Sequence, residues 1–371
     1  MNNISWYRIR NVIELDSPSL VVFPERIKTN IQAAIGMIDN NRRLRPHVKT
    51  HKCADVVQLM MHAGINKFKC ATIAEAEMLG ICGAQDVLLA YQATGPKLLR
   101  LIQLIKKYPA TNYSCLTDNR QTAAEQAEAF SSNGLDIPVY IDLNVGMNRT
   151  GIAPGAEAIE LYLYCNDLKG ITPRGLHAYD GHIRNPDFNK RKNECNRDFT
   201  PVVTMKAELE NMGIAEPVII AGGSHTFPIH SKRKSIECSP GTFVYWDKSN
   251  SDYCPEQPFI PAAVLVTRIV SLPDPTKVCV DMGHKSVAAE NEITKRVFFL
   301  NAPELRAVSQ SEEHLVLEAR KKHSYSVGDV LYGLPFHICP TVALYESVKI
   351  IEDGQVSGEW KNMARDRKIT I

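Results

Sequence analysis

Apolar and polar positions along this chain follow two alternating periods. Ser19 to Phe23 reads as a short strand, and from Glu25 to Asp39 apolar residues recur at helical spacing. From Arg45 onward, apolar runs of strand length take turns with longer amphipathic stretches. Strands are expected at Arg45 to Lys49, Phe68 to Thr72, Asp86 to Tyr91, Tyr113 to Asp118, Val139 to Asn144, Gly175 to Tyr179, Val218 to Gly223 and Thr242 to Asp247. Helices are expected between most of them, at Ile73 to Gly80, Pro96 to Lys107, Asn119 to Ser131, Glu157 to Asn166 and Asn189 to Met212. Such alternation implies parallel pairing through right-handed crossovers. Eight strands after the opening one is the number that closes a (β/α)8 barrel of the TIM type.

Past Asp247 the period changes. Short β-rich runs at Ala262 to Val270, Lys277 to Val280, Arg296 to Leu300, His314 to Glu318, Val330 to Tyr332 and Ser347 to Ile351 are separated by Pro, Gly, Asp and Asn. Runs of this kind without long helices predict a mostly antiparallel β domain. The expected division is a barrel over residues 17–250 and a β-rich domain built from 1–16 and 258–371, with Lys248 to Gln257 as the joint.

Composition narrows the partners. A hydrophobic content of 44% in 371 residues supplies a packed core. A net charge of +2, with no basic stripe, argues against a nucleic-acid surface. No apolar run reaches the length of a membrane span, and the polar start at Met1 to Asn11 is unlike a signal peptide, so a cytoplasmic location is the expectation. The ten cysteines lack paired spacing and read as reduced, mostly buried thiols.

The densest chemistry lies in Arg45-Pro46-His47-Val48-Lys49-Thr50-His51-Lys52, where five basic or imidazole side chains surround apolar Val48. A lysine desolvated beside other cations loses proton affinity and can attack a carbonyl to form a Schiff base; Lys49 is the candidate. The same pattern would also suit a basic strand end leading into a solvated helix. In a barrel, catalytic residues come from the C-terminal ends of strands. Those ends carry Arg149, the stretch His177-Ala178-Tyr179-Asp180-Gly181-His182, Gly222-Gly223-Ser224-His225, and Pro240-Gly241-Thr242. Gly222, Gly223 and Ser224, with Gly241 and Thr242, have the composition of loops that approach a phosphate, although each could be an ordinary glycine turn.

An amine for a Schiff base plus a phosphate cradle suggests pyridoxal 5'-phosphate. Arg149 could meet the cofactor's phenolic oxygen, and Tyr179 could stack on its ring or bond its phosphate. The partner of the pyridine nitrogen is not legible. Far downstream, His337 and Cys339 would share a face on an extended backbone and could hold a divalent ion, zinc before manganese or magnesium because of the sulfur. A buried cysteine beside a core histidine is the plainer alternative.

Together with Asp16-Ser17-Pro18-Ser19-Leu20, the lysine stretch resembles the metal-activated pyridoxal enzymes that include D-threonine aldolase and D-serine dehydratase. Gly146-Met147-Asn148-Arg149-Thr150-Gly151, the two glycine loops and Asp281-Met282-Gly283-His284-Lys285 extend the resemblance over nearly the whole chain. It implies an alanine racemase-like architecture (fold type III of the pyridoxal enzymes), with the cofactor on Lys49 and the metal on His337 and Cys339. It further implies a small amino-acid substrate and a homodimer. Cys339 matches the dehydratases' His-x-Cys, whereas Pro340-Thr341-Val342-Ala343-Leu344-Tyr345 matches the aldolases. The expected activity is therefore a lyase on D-3-hydroxy amino acids, either aldolase or dehydratase. A racemase would need no metal pair, and a non-catalytic cofactor carrier would need no second domain. For the base, His182 is the candidate, with His177 and His225 as alternatives; His47 and His51 could tune Lys49 or simply pack.

Overall fold

The computed structural model describes residues 5–371. By contact density these fall into two compact units, one of residues 32–49, 56–241 and 366–371, the other of residues up to 31, 50–55 and 242–365. The expected boundaries at 17 and 250–258 differ from this division. The first strand, β1 (Ser19–Val22), runs in the second unit's sheet, and 242–257 belong to that unit as well. The expected joint contains a helix, Lys248–Tyr253, whose first turn is capped by the Asp247 carboxylate.

In the barrel unit, seven parallel strands follow one another in chain order: β2 (Lys67–Cys70), β3 (Asp86–Leu89), β4 (Asn112–Thr117), β5 (Ile137–Leu143), β6 (Ile171–Ala178), β7 (Val218–Ala221) and β8 (Ile236–Cys238). Residues 44–48 close the ring. Leu44 bridges to Cys238 and His47 to Lys69, with Arg45 N–H donating to the Cys238 carbonyl at 2.8 Å and Val48 N–H to the Lys69 carbonyl at 2.9 Å. Pro46 has no N–H to give, so this segment is a pair of bridges and not a full ladder strand. The predicted strand at Thr242 to Asp247 is a correction: Thr242–Val244 is a 3-10 turn, and β8 lies earlier. Its apolar side chains are buried by aromatic packing, Phe243 and Trp246 against Phe259, so an apolar run did not signal a strand there. The long helices fall where their periodicity placed them, at Ile73–Ile81, Pro96–Lys107, Arg120–Ser131, Ala156–Asn166 and Phe188–Asn211.

Alternation along the strands fills the barrel in layers. Arg45, Lys67, Asp86 and Glu237 point inward at the strands' N-terminal ends and line a polar cavity of about 410 Å³. Leu88, Leu116, Tyr140 and Ile220 pack the middle. Two residues beyond Lys67, Tyr140, Gly175 and Glu237 come Lys69, Asp142, His177 and Ser239, the inward residues at the C-terminal mouth. Arg45 explains part of the charge in its motif without any ligand. Fully buried, it donates from Nη1 and Nη2 to Asp86 at 2.6 and 2.9 Å and from Nε to Glu237 at 2.7 Å. Arg45→Met is expected to destabilise the protein by about 3 kcal/mol, because Asp86 loses its counter-charge and Glu237 keeps only Lys67 of its two cationic partners. An unfolding free energy from denaturant titration within about 1 kcal/mol of wild type would contradict this structural role.

The second unit is a nine-stranded sheet ordered β12 (Arg306–Gln310), β13 (Leu315–Glu318), β10 (Lys277–Val280), β9 (Ala263–Asp274), β1, β15 (Ser347–Glu352) and β16 (Gln355–Lys361). β14 (Val330–Pro335) also pairs with β9, and β11 (Val297–Phe299) pairs with β14. All pairings are antiparallel except β1 with β15. Ile9, Val21, Val264, Val266, Tyr332 and Ile351 form its core.

Candidate active site

At the barrel mouth three cations surround one aromatic ring. Lys49 Nζ lies 5.8 Å, Lys69 Nζ 5.4 Å and Arg149 Cζ 5.1 Å from the centroid of Tyr179. The ring's negative face offsets part of their mutual repulsion. Tyr179 itself is wedged in place, since a Cβ on Gly223 would come within 3.2 Å of its ring. The loop carrying Arg149 is tied down by Asn144, whose side-chain oxygen accepts from the amides of Gly146 at 3.1 Å and Asn148 at 3.0 Å. Gly146 sits at φ +118°, and any Cβ there would lie 2.7 Å from His182 Nε2, so only glycine fits.

The three candidate histidines occupy different electrostatic settings. His177 donates from Nδ1 to Asp142 at 2.7 Å, and its Nε2 faces Lys69 Nζ at 3.4 Å. Burial lowers the proton affinity of His177 despite the carboxylate. Burial alone would raise Asp142, but its bonds from His177 and Thr150 prevail and hold it below the ordinary range. His225 is pushed down to about 4 by burial and by Arg184 and Arg191, which keeps it neutral. His182 is different. Its Nε2 bonds Asp198 at 3.0 Å, while its Nδ1 is buried with no hydrogen-bond partner among the described residues. Burial would raise Asp198, yet Arg197 and His182 hold it low and therefore ionised. The carboxylate fixes the proton on Nε2 and leaves an available lone pair on Nδ1.

The glycine loops are joined, Gly241 N–H reaching Ser224 Oγ at 3.5 Å. Gly222 adopts φ +80°. The Gly223 amide, expected to face an anion, is engaged by Asp180 at 3.3 Å and Thr226 at 3.2 Å. Asp180 also takes bonds from Thr226 Oγ1 and His230 Nε2, both at 2.8 Å. Asp180, Cys195 and His230 bring metal-ligating atoms within 4.8 Å of one another. Arg233, however, donates to His230 Nδ1 at 2.5 Å and lies 3.8 Å from Cys195 Sγ, and burial pushes the Cys195 thiol up to about 12. A guanidinium and a protonated thiol make this cluster a brace for the glycine loop, not a cation site.

In the second unit, His337 and Cys339 come together by a different route from the extended strand expected. His337 is extended at the end of β14, and Cys339 lies in the short helix Ile338–Val342. Asp247 holds that junction, accepting from Ile338 N–H at 3.0 Å and Asn250 N–H at 2.9 Å. His337 Nδ1 bonds Glu290 at 2.5 Å, the arrangement that orients a ligating imidazole through its second nitrogen. Burial lowers His337, but Cys339, Glu290 and Asp247 outweigh it and raise its pKa to about 9. Cys339 Sγ is 3.1 Å from Thr50 Oγ1 and 4.0 Å from Thr242 Oγ1, which places Thr242 in this group. Thr50 is the residue after Lys49 in the chain. Sequence reasoning missed Lys69, Asp142, Asp198 and Glu290. The first two carry a signal, an ionisable residue on the inward period of a barrel strand; the other two come from distant segments without one.

Comparison with known proteins bears on the same residues. Residues 23–249 match the family model described as alanine racemase, N-terminal domain, and residues 262–351 match one described as a serine dehydratase domain. D-threonine aldolase of an Arthrobacter species is 25% identical over 95% of this chain and 93% of its own length. D-threo-3-hydroxyaspartate dehydratase of a Delftia species is 24% identical over 95% of this chain and 98% of its own length. The crystal structure of D-threonine aldolase from Filomicrobium marinum superposes with a TM-score of 0.86 at 26% identity, covering 95% of this chain and 96% of that one.

Proposed function

The chain belongs to the alanine racemase N-terminal domain family, and on that premise we propose that it is a lyase of D-3-hydroxy amino acids, dependent on pyridoxal phosphate and a divalent metal. The reaction is D-threonine aldolase-like cleavage to glycine and an aldehyde. Similarity to a D-threonine aldolase along almost all of both chains supports the class. The observation that carries the mechanism is His182, engaged by Asp198 on one nitrogen and unpaired on the other.

The residues present fit pyridoxal phosphate. Lys49 supplies an amine beside Tyr179 and Arg149, and the loops of Gly222, Ser224 and Gly241 meet where an anion would sit, while the Gly223 amide is taken by Asp180 and Thr226 and serves to fix the loop. Ser239 Oγ, inward and buried, is without a partner among the described residues, which suits it to a cofactor's polar atom. When bound, this cofactor supplies the electron sink for charge left at the substrate's α-carbon. His337 and Cys339, with Glu290 behind the imidazole, fit zinc, which supplies a Lewis acid for a substrate hydroxyl. His182 Nδ1 takes the proton of the 3-hydroxyl, and Asp198 stabilises the imidazolium that results. Arg149 holds an anionic oxygen. His182→Asn is expected to slow turnover by about 10² to 10⁴, measured as kcat at saturating substrate; less than a tenfold effect would remove His182 from this role.

Cys339 favours a second reading. In a dehydratase, Lys49 removes the α-proton, hydroxide leaves from the β-carbon, and a 2-oxo acid and ammonia result; similarity to the Delftia dehydratase supports it. His337 with Cys339 speaks against a racemase, and the second unit against a cofactor carrier. A homodimer is part of the proposal, and sedimentation velocity measures it. Among the described residues no helix is long and apolar enough to cross a membrane. The stereochemical part is tested by giving the loaded protein D- and L-threonine separately: consumption of the D form alone is expected, and equal consumption of both would overturn it.

A further inference from the structure

Lys69 takes no part in the roles above, yet it is 2% exposed at the barrel mouth. Its backbone pairs with residues 46–48, donating to the Pro46 carbonyl at 2.9 Å and accepting from Val48 N–H at 2.9 Å. This pairing sets Lys69 beside Lys49, and both ammonium groups face the Tyr179 ring. β2 and β6 are not neighbours in the sheet, so Lys69 spans the barrel interior to reach His177. Behind His177 stands Asp142 at 2.7 Å. A carboxylate on Nδ1 holds a proton there and turns the Nε2 lone pair toward Lys69, so the three groups form one hydrogen-bonded chain.

We propose that Lys69 is a second acid–base lysine working beside Lys49, held in place and supported across the barrel mouth by His177 and Asp142. The inference rests on the lyase reading. In the aldol cleavage, the electron pair of the Cα–Cβ bond stays on the α-carbon as the aldehyde leaves. Lys69 gives that carbon a proton and takes one back from solvent, the proton that His182 took from the hydroxyl passes to solvent, and no net proton is gained or lost. His177, whose own proton is held on Nδ1 by Asp142, accepts from Lys69 at Nε2 and keeps the amine in place. The charges around Lys69 suit the task. Burial and the positive Lys49 and Arg45 lower its proton affinity, the negative Asp180 and Asp142 support it, and the balance falls at about 7. Arg149 acts on His177 from the neighbouring loop. A lysine so placed exchanges its proton near neutral pH, where an ordinary lysine would hold it.

The test uses the full chain loaded with pyridoxal phosphate and zinc and carrying lysine labelled with ¹³C at Cε. The Lys69 resonance is assigned by its loss in Lys69→Arg. It is expected to titrate within about one unit of neutrality and to move lower in Asp142→Asn, which removes a supporting negative charge. Exchange of the glycine α-proton with D₂O is followed in parallel. Lys69→Met and Lys69→Arg are both expected to lose the near-neutral limb of its pH profile and at least about tenfold in rate, with the cofactor still fixed to Lys49 by borohydride. A Lys69 titrating near the ordinary value of about 10.4, or variants with an unchanged pH profile, would overturn this role for Lys69. A near-neutral, Asp142-dependent titration in a protein that cleaves no hydroxy amino acid would support an acid–base Lys69 and overturn the lyase reading instead.

Discussion

Lys49→Ala is expected to reduce lyase turnover by at least about a thousandfold, and to leave the protein unable to retain pyridoxal phosphate through borohydride treatment and denaturation. The reason lies in how the side chain is held. Residues 44–48 are pinned on both sides, by Cys238 and by Lys69, so Lys49 emerges at the mouth from a fixed backbone. Its own N–H donates to His47 Nδ1 at 3.2 Å, which gives His47 a positioning task in place of a free base. Lys69 lies nearby but its amine is committed to His177, so it is not expected to replace Lys49 as the point of attachment. Peptide mapping after borohydride reduction checks this: wild type should carry the added cofactor mass on the peptide containing Lys49, and Lys49→Ala should carry none. Full turnover by Lys49→Ala would remove the residue from the chemistry.

The second large effect concerns the metal pair. His337→Ala and Cys339→Ala are each expected to lower turnover by at least about a hundredfold while leaving the cofactor on Lys49. Both side chains lie in the second unit, whereas the residues assigned to the cofactor lie almost wholly in the barrel. Loss of one ligand from a two-residue site leaves too few donors to keep zinc against solvent. Zinc content by elemental analysis after dialysis should fall with activity. Cys339→Asp is expected to retain metal and turnover if the chain is an aldolase, since a carboxylate supplies an equivalent anionic donor. Full activity in Cys339→Ala would refute the metal role.

Much of this was legible in the sequence, for identifiable reasons. Long helices such as Pro96–Lys107 and Arg120–Ser131 announce themselves through several turns of periodic apolar residues. β8 did not, because three residues centred on Glu237 make no apolar run, and the aromatic stretch after Gly241 imitated one. β16 was missed since it is largely exposed and carries no buried alternation. At the site, Lys49, Arg149 and Tyr179 were found from strand ends, and the structure brings all three together. What stayed hidden was the setting of each group. Arg45 belongs to an ion-pair cluster at the opposite end of the barrel, and the buried, proton-poor lysine is Lys69. Asp198 and Glu290 decide which nitrogen of His182 and of His337 is available, and both arrive from segments far from their partners' motifs.

The most direct measurement is product analysis by mass spectrometry on the purified protein given pyridoxal phosphate, zinc and D-threonine. Glycine and acetaldehyde in equal amounts are predicted, and would establish that cysteine serves as a metal ligand in a carbon–carbon lyase. A 2-oxo acid with ammonia and no glycine would contradict the aldolase account, and would mark Cys339 as the residue that sets the chemistry.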